Sequence, residues 1–224
     1  MPGVTERTVV LKVASVLLGY PDAALLAERH QLAAAVDHLP RTPARDGLRR
    51  CLSWLDETDP TVAAAHYVNV FDLQRRCCLY LTYYTHGDTR KRGMALLALK
   101  DRYRTAGVNL ESVELPDYLP IMLEFAVIAP TDGDAMLAEH RQSLELLRTA
   151  LGDTNSPYAA LLDAVAAVLP GPTRSDLEAV RRLIKDGPPH EDVGLEPFAP
   201  PEFLTGANLP TAVSLSGTRR EGRP

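Results

Sequence analysis

The sequence predicts an all-α fold, a single helical bundle. Three observations carry this. Apolar residues recur at spacings of three and four, leucine and alanine outnumber valine and isoleucine, and proline, glycine and N-cap residues cut the periodic runs apart. No segment alternates apolar and polar residues as a half-buried strand would.

The first run, Thr8 to Leu18, places Leu11, Ala14 and Leu18 on one face and stops at Gly19 and Pro21. Asp22 caps a second run with the stripe Leu25, Arg29, Leu32, Val36 and Leu39, where Arg29 contributes its aliphatic stem, and Pro40 ends it. Thr42-Pro43 pairs an N-cap with a first-turn proline, ahead of a face of Leu48, Cys51, Leu52 and Leu55. Asp59-Pro60 repeats that signal and opens a helix carrying Tyr67, Val70 and Phe71. A periodic stretch from Asp72 to Tyr84 continues it as far as His86-Gly87-Asp88. Asp88 is expected to cap the next helix, which runs through Leu96, Leu99 and Tyr103 to a terminating Gly107.

In the second half, Asp117 is expected as the N-cap of a helix with Pro120 in its first turn, running through Ile121, Phe125 and Ile128 to Pro130. Leu137, His140, Leu144, Leu147 and Leu151 form one stripe closed by Gly152. Ser156-Pro157 opens a run with Leu161, Leu162, Val165 and Leu169, and Ser175 with Glu178 makes a capping box before Leu177, Val180 and Ile184. The helical domain is therefore expected over 1–186. From 187 to 224 the pattern dissolves: seven of the 18 prolines fall there, as expected of a flexible tail with Phe198, Phe203 and Leu204 as local docking points.

With 224 residues the chain can bury a core without disulfides or metal, and its net charge of −5 disfavours a general nucleic-acid binder. Three cysteines, two of them the neighbours Cys77 and Cys78, suit a reducing compartment. No apolar run approaches the roughly 18 residues of a membrane span, and the start does not read as a secretory signal, so the expected address is cytoplasmic.

Phosphate-loop, dinucleotide-fold and nucleophile-elbow motifs are missing, which disfavours ordinary nucleotide or acyl chemistry. Cys77, Cys78, His66 and His86 include soft ligands. On a helix, however, neighbours point about 100° apart, so buried thiols are the simpler reading than a metal site. The clusters Arg75-Arg76 and Arg90-Lys91-Arg92 stand out. Arg90 and Arg92 occupy a helix's first turn, where the dipole disfavours cations; they read either as a solvated face or as a site for an acidic peptide, carboxylate or phosphate.

The ordered set Tyr67-Val68, Phe71-Asp72-Leu73, His86-Gly87-Asp88-Thr89-Arg90-Lys91-Arg92-Gly93, Glu114-Leu115-Pro116-Asp117-Tyr118-Leu119-Pro120 and Leu123-Glu124 resembles the NarJ family of nitrate reductase assembly chaperones, within the wider TorD/DmsD group of redox-enzyme maturation proteins. The match covers roughly Tyr67 to Phe125, with Leu18-Gly19-Tyr20-Pro21 as a weaker addition. The resemblance implies a protein that is not an enzyme. It would bind the N-terminal segment of the apo catalytic subunit of respiratory nitrate reductase and assist molybdenum-cofactor insertion. Relatives often place His where this chain has Tyr118, so a protonation switch there does not carry over.

The residues expected to meet the partner are Tyr67, Phe71, Asp72, Tyr80, Tyr84, His86, Asp88, Arg90, Arg92, Glu114, Pro116, Asp117, Tyr118, Pro120 and Glu124. Tyr67, Phe71, Tyr80 and Tyr84 would form an apolar wall if their helix is continuous. No permanent cofactor is expected, only transient contact with molybdopterin dinucleotide, and the protein is expected to be a monomer or weak dimer. The alternative is an accessory protein that binds molybdopterin dinucleotide or GTP through Arg90 to Arg92.

Overall fold

A computed structural model describes residues 5–110, 114–187 and 189. The chain divides into two compact units, Met1–His190 and Glu191–Pro224, and everything described belongs to the first. Nearly all of the expected tail therefore lies outside the described residues.

The all-α expectation holds: the described residues form eleven α-helices, with one isolated bridge and no named strand. Helix α1 (Glu6–Leu17), capped by Thr5, runs through the centre, and its Val10, Leu11, Ala14 and Leu17 have no exposure. It packs on α7 (Leu119–Ile128) on one side and on α2 (Ala23–Asp37), α3 (Pro43–Glu57) and α10 (Tyr158–Ala167) on others. Asp22 and Thr42 cap α2 and α3 as expected. On α2 the stripe residue Arg29 serves as an ion-pair partner of Asp56 at 2.8 Å, and only Leu25 and Val36 are buried within that helix.

Helices α3 and α10 pack most closely. A Cβ on Gly47 would lie 2.4 Å from the Ala160 carbonyl oxygen, so only glycine lets the two backbones approach this far. The corner between α7 and α8 (Pro130–Glu139) is as tight: a Cβ on Gly133 would sit 2.3 Å from the Ala126 Cα.

Helix α4 (Pro60–Tyr67) starts at the Asp59 cap but does not continue as one rod to Tyr84. It widens into a π-turn at Val68–Asp72, followed by a 3-10 turn at Arg75–Cys77, an extended stretch through Leu79, and the short helix α5 (Leu81–His86). The periodicity over Asp72 to Tyr84 thus came from core-facing residues on several short pieces. Phe71, Cys77, Leu79 and Leu81 are all buried, and tertiary packing satisfies such a pattern without a helix.

Other boundaries also shift. Thr89, not Asp88, precedes α6 (Arg90–Thr105), which ends as expected before Gly107, whose φ is +78. Tyr118, not Asp117, occupies the N-cap of α7, because Asp117 is turned into the core. His140 breaks the expected single stripe into α8 and α9 (Arg141–Asp153); its Nδ1 lies 2.9 Å from the Met136 carbonyl oxygen. The capping box of α11 (Arg174–Asp186) is Thr173 with Asp176, while Glu178 pairs with Arg174 at 3.2 Å.

An aromatic cluster joins α3, α4, the π-turn and α10. Tyr158 packs edge-on to Phe71 at 4.9 Å and to Trp54 at 5.7 Å, and the His66 ring stacks on Tyr158 at 6.0 Å. His66 Nε2 lies 3.1 Å from the Ser156 hydroxyl, and burial holds this imidazole below its ordinary 6.5.

Two predictions follow from this packing. Gly47→Ala should destabilise the fold by about 1–3 kcal/mol in chemical denaturation, through overpacking against backbone. Gly93→Ala, with open space around the new methyl, should stabilise by about 0.5–1 kcal/mol. For His66, the neutral ring is the form the fold favours. Stability is therefore complete above 6.5 and falls as pH drops through the lowered value, because the unfolded chain takes up the proton first. The melting temperature should decline as pH falls from 6.5 to the lowered value, and His66→Gln should flatten that decline relative to wild type.

Candidate functional site

The segments 78–80 and 117–119 meet as a short antiparallel ladder. Leu81 N donates to the Asp117 carbonyl at 3.0 Å, and Leu119 N donates to the Leu79 carbonyl at 2.8 Å, bringing Tyr80 opposite Tyr118. Their rings lie 5.3 Å apart. Tyr80 and Tyr118 are half-buried. The Tyr80 hydroxyl donates to Glu114 at 2.7 Å, and the Tyr118 and Tyr67 hydroxyls are 3.2 Å apart, with Tyr67 donating to the Leu18 carbonyl.

Beneath this pair lies Asp117, whose side chain has no exposure. Its Oδ2 accepts from the Thr82 backbone N–H at 3.2 Å and from the Thr82 hydroxyl, while Arg92 stands 3.5 Å away. Arg92 Nε donates to the same hydroxyl at 3.3 Å, and its guanidinium lies 5.9 Å from the ring centres of Tyr80 and Tyr83. Asp88 approaches Arg92 at 3.6 Å from the solvent side. A buried carboxylate is tolerable only with such partners. The helix dipole disfavours Arg92 at its first-turn position, and the pairing explains why a cation is nevertheless placed there.

The expected site residues therefore separate. Tyr80, Tyr118 and Glu114 come together at the surface, the buried Tyr67 reaches them through its hydroxyl, and Asp72 lies close enough for its charge to act on both Tyr67 and Tyr118. Asp117 and Arg92 lie underneath. Phe71 is core, and the expected four-aromatic wall does not form, because no continuous helix links Tyr67 to Tyr84. Tyr84 is buried and donates to the carbonyls of Arg76 and Cys78. Pro116 and Pro120 are buried, and the Pro116 carbonyl accepts from Tyr103 at 2.9 Å. His86 faces a groove of about 320 Å³ between α5, α6 and the α8–α9 junction. Arg90 and Asp88 are exposed at the start of α6, and Glu124 on α7 pairs with Lys12.

The residue list omitted three surface neighbours. Tyr20, half exposed, sits edge-on to Tyr67 at 5.5 Å, and Leu73 and Leu115 are 69% and 40% exposed. All three lie within the motif blocks, in Leu18-Gly19-Tyr20-Pro21, Phe71-Asp72-Leu73 and Glu114-Leu115-Pro116, but their exposure is set by the fold. A separate apolar groove of about 380 Å³ is lined by Tyr84, Leu146, Ala150, Leu183 and Ile184.

Burial raises the phenol and thiol pKa values in this region. Burial pushes the Tyr67, Tyr80 and Tyr118 phenols up, with the bond to Glu114 adding to the effect at Tyr80. Burial raises the Cys77 and Cys78 thiols too, and takes Cys51 to about 12. These groups stay protonated near neutrality, where a catalytic thiol would be a thiolate. Among the described residues, no group of three or more His, Cys, Asp or Glu is placed to hold a metal ion, and no helix is long and apolar enough to cross a membrane.

The fold is thus an all-helical scaffold that presents two half-buried tyrosines beside acidic side chains above a buried ion pair. A solved structure from Archaeoglobus fulgidus, described as a putative redox enzyme maturation protein, shares this fold with a TM-score of 0.56 and 22% identity, over 75% of this chain and 94% of that one. The family model described as nitrate reductase delta subunit matches residues 28–164, and the chain belongs to that family. Among relatives, the nitrate reductase-like protein NarX of Mycobacterium tuberculosis is 43% identical over 158 residues, which are 70% of this chain and 24% of that longer protein. The probable nitrate reductase molybdenum cofactor assembly chaperone NarJ of Bacillus subtilis is 33% identical over 74% of this chain and 90% of its own length. The Escherichia coli NarJ chaperone is 34% identical over 79% and 75%.

Removing one partner of the buried pair should be costly. Arg92→Met is expected to destabilise by about 3–5 kcal/mol by leaving Asp117 uncompensated. Combining it with Asp117→Asn should recover much of that loss in a double-mutant cycle measured by urea denaturation. Additive losses would mean that the two side chains do not interact.

Proposed function

We propose that this protein is an assembly chaperone for a nitrate reductase, holding the N-terminal segment of the apo catalytic subunit while the molybdenum cofactor is inserted. Support comes from family membership and from two NarJ chaperones that match most of their own length. The observation that carries the reading is the group of Tyr20, Tyr80, Tyr118 and Glu114 joined through Tyr67, with the exposed Asp72, Leu73 and Leu115 on the adjoining segments. Half-exposed tyrosines above a rigid ladder suit a segment with spaced apolar anchors, and the carboxylates favour basic side chains beside them.

Burying three such anchors contributes roughly 5–9 kcal/mol, and ordering the segment offsets several. A micromolar complex results, firm enough to hold and weak enough to release. The client acts as substrate of the folding process, and no covalent step is assigned to this chain. The protein is taken to act in the cytoplasm as a monomer or weak dimer.

Holding a molybdopterin dinucleotide or GTP through Arg90 to Arg92 draws less support. Arg92 is committed to Asp117 and its side chain is only 18% exposed, so the three cations do not converge on one outward cradle. The residues present do not fit a bound dinucleotide at that cluster, and no step is routed through one.

Calorimetry with a synthetic N-terminal peptide of the catalytic subunit should give micromolar binding. Tyr80→Ala and Leu73→Ser should each weaken it about tenfold, while Ile184→Ser in the separate apolar groove should leave it unchanged. The reverse pattern would move the client to that groove, and no heat with any form would remove the reading. Co-purification from cells grown with and without molybdenum identifies the client and its maturation stage together.

A further inference from the structure

Helix α6 stands apart electrically. In a chain of net charge −5 it carries Arg90, Lys91, Arg92, Lys100, Arg102 and Arg104 against the single acid Asp101, a local charge of +5. It is also lightly embedded. Its inner side is fixed by Arg92, Leu99 and Tyr103, and it packs chiefly on the short α5. The opposite side faces outward and presents Met94, 68% exposed, and Leu97, 57% exposed.

At 100° per residue, Arg90, Met94, Leu97, Asp101 and Arg104 fall along one outward strip, where Asp101 pairs with Arg104 at 2.8 Å, and exposed Lys91 and Lys100 stand on its two flanks. Two apolar tips thus project beside Arg90, Lys91 and Lys100, while Arg92, Arg102 and Arg104 pair with Asp117, Glu139 and Asp101. Water is a poor environment for both tips, and nothing described covers them.

We propose that the outer face of α6 docks onto an anionic lipid bilayer surface. The shape decides between occupants. A single convex helix offers no cleft for an extended peptide. Nucleic acid would engage the cations and leave Met94 and Leu97 in water. The interface of an anionic bilayer accepts both features, apolar tips below the headgroups and cations at the level of the phosphates. The long lysine stems at 91 and 100 let the ammonium groups reach that level while the helix lies flat. Docking on this face leaves the patch around Tyr80 and Tyr118 to the client, so membrane attachment stands or falls independently of client binding.

The test is co-sedimentation of the full chain with vesicles of phosphatidylcholine alone or mixed with phosphatidylglycerol, at low and at high salt. Binding is expected to the mixed vesicles, at least about tenfold weaker to phosphatidylcholine and at high salt. Lys91→Glu with Lys100→Glu, and separately Met94→Ser with Leu97→Ser, should each reduce it about tenfold. Unchanged far-ultraviolet circular dichroism confirms that these surface variants fold, and client-peptide calorimetry on the same samples reports the other site. A Leu97→Trp variant should show emission shifted to the blue with mixed vesicles only. Absence of binding, or equal binding to both vesicle types, would overturn the proposal. So would loss with the charge variant but not the apolar one, which would reduce the contact to general electrostatic attraction with Met94 and Leu97 left in water.

Discussion

The carboxylate of Asp117 is fully removed from solvent, and the arrangement of the surrounding segments depends on keeping it compensated. Thr82 supplies two hydrogen bonds, one from the backbone and one from its hydroxyl, and Arg92 supplies the countercharge. These partners come from α5 and α6, while Asp117 precedes α7. One buried charge therefore ties together three elements, of which α6 and α7 also meet through the buried edge-on pair of Tyr103 and Phe125. The ladder between 78–80 and 117–119 forms directly above it, and that ladder sets Tyr80 against Tyr118. The exposed aromatic surface is thus a consequence of the buried ion pair.

The aromatic cluster has a different role. Tyr67, Phe71 and Tyr158 contact one another within the core, yet Tyr67 also reaches the surface layer through its hydroxyl, which meets that of Tyr118. The π-turn at Val68–Asp72 makes this possible. The extra residue in the turn rotates the chain so that Phe71 stays inward while Asp72 and Leu73 emerge beside the tyrosines. Rigid core and recognition surface are thereby joined through a few side chains, which preorganises the surface and lowers the entropy lost on binding.

Charge is distributed with equal consequence. The tyrosine surface is rimmed by Asp72 and Glu114, whereas α6 is basic. A client segment with basic and apolar residues and an anionic bilayer would be drawn to different faces of one small domain. Under the function proposed above, client binding and bilayer contact would then not compete.

How much of this was legible in the sequence depends on the range of the forces involved. Caps at Asp22, Thr42 and Asp59, the terminating Gly107 and the all-α class follow from local chemistry, since a side-chain oxygen three residues from an N–H needs no tertiary partner. The motif blocks named Tyr67, Glu114 and Tyr118 and the aromatic spacing added Tyr80; the fold places these four side chains together. What the sequence could not disclose was orientation. Asp117 beside Pro120 looks like a helix cap, and Arg92 in a first turn looks like a solvated cation; only a fold that brings Thr82 between them reveals a buried pair. Likewise, the spacing from Asp72 to Tyr84 is compatible with one helix or with several short turns, and burial against α9 and α10 decided for the turns. Local propensity set which elements form, while long-range electrostatics and packing decided which way their side chains point.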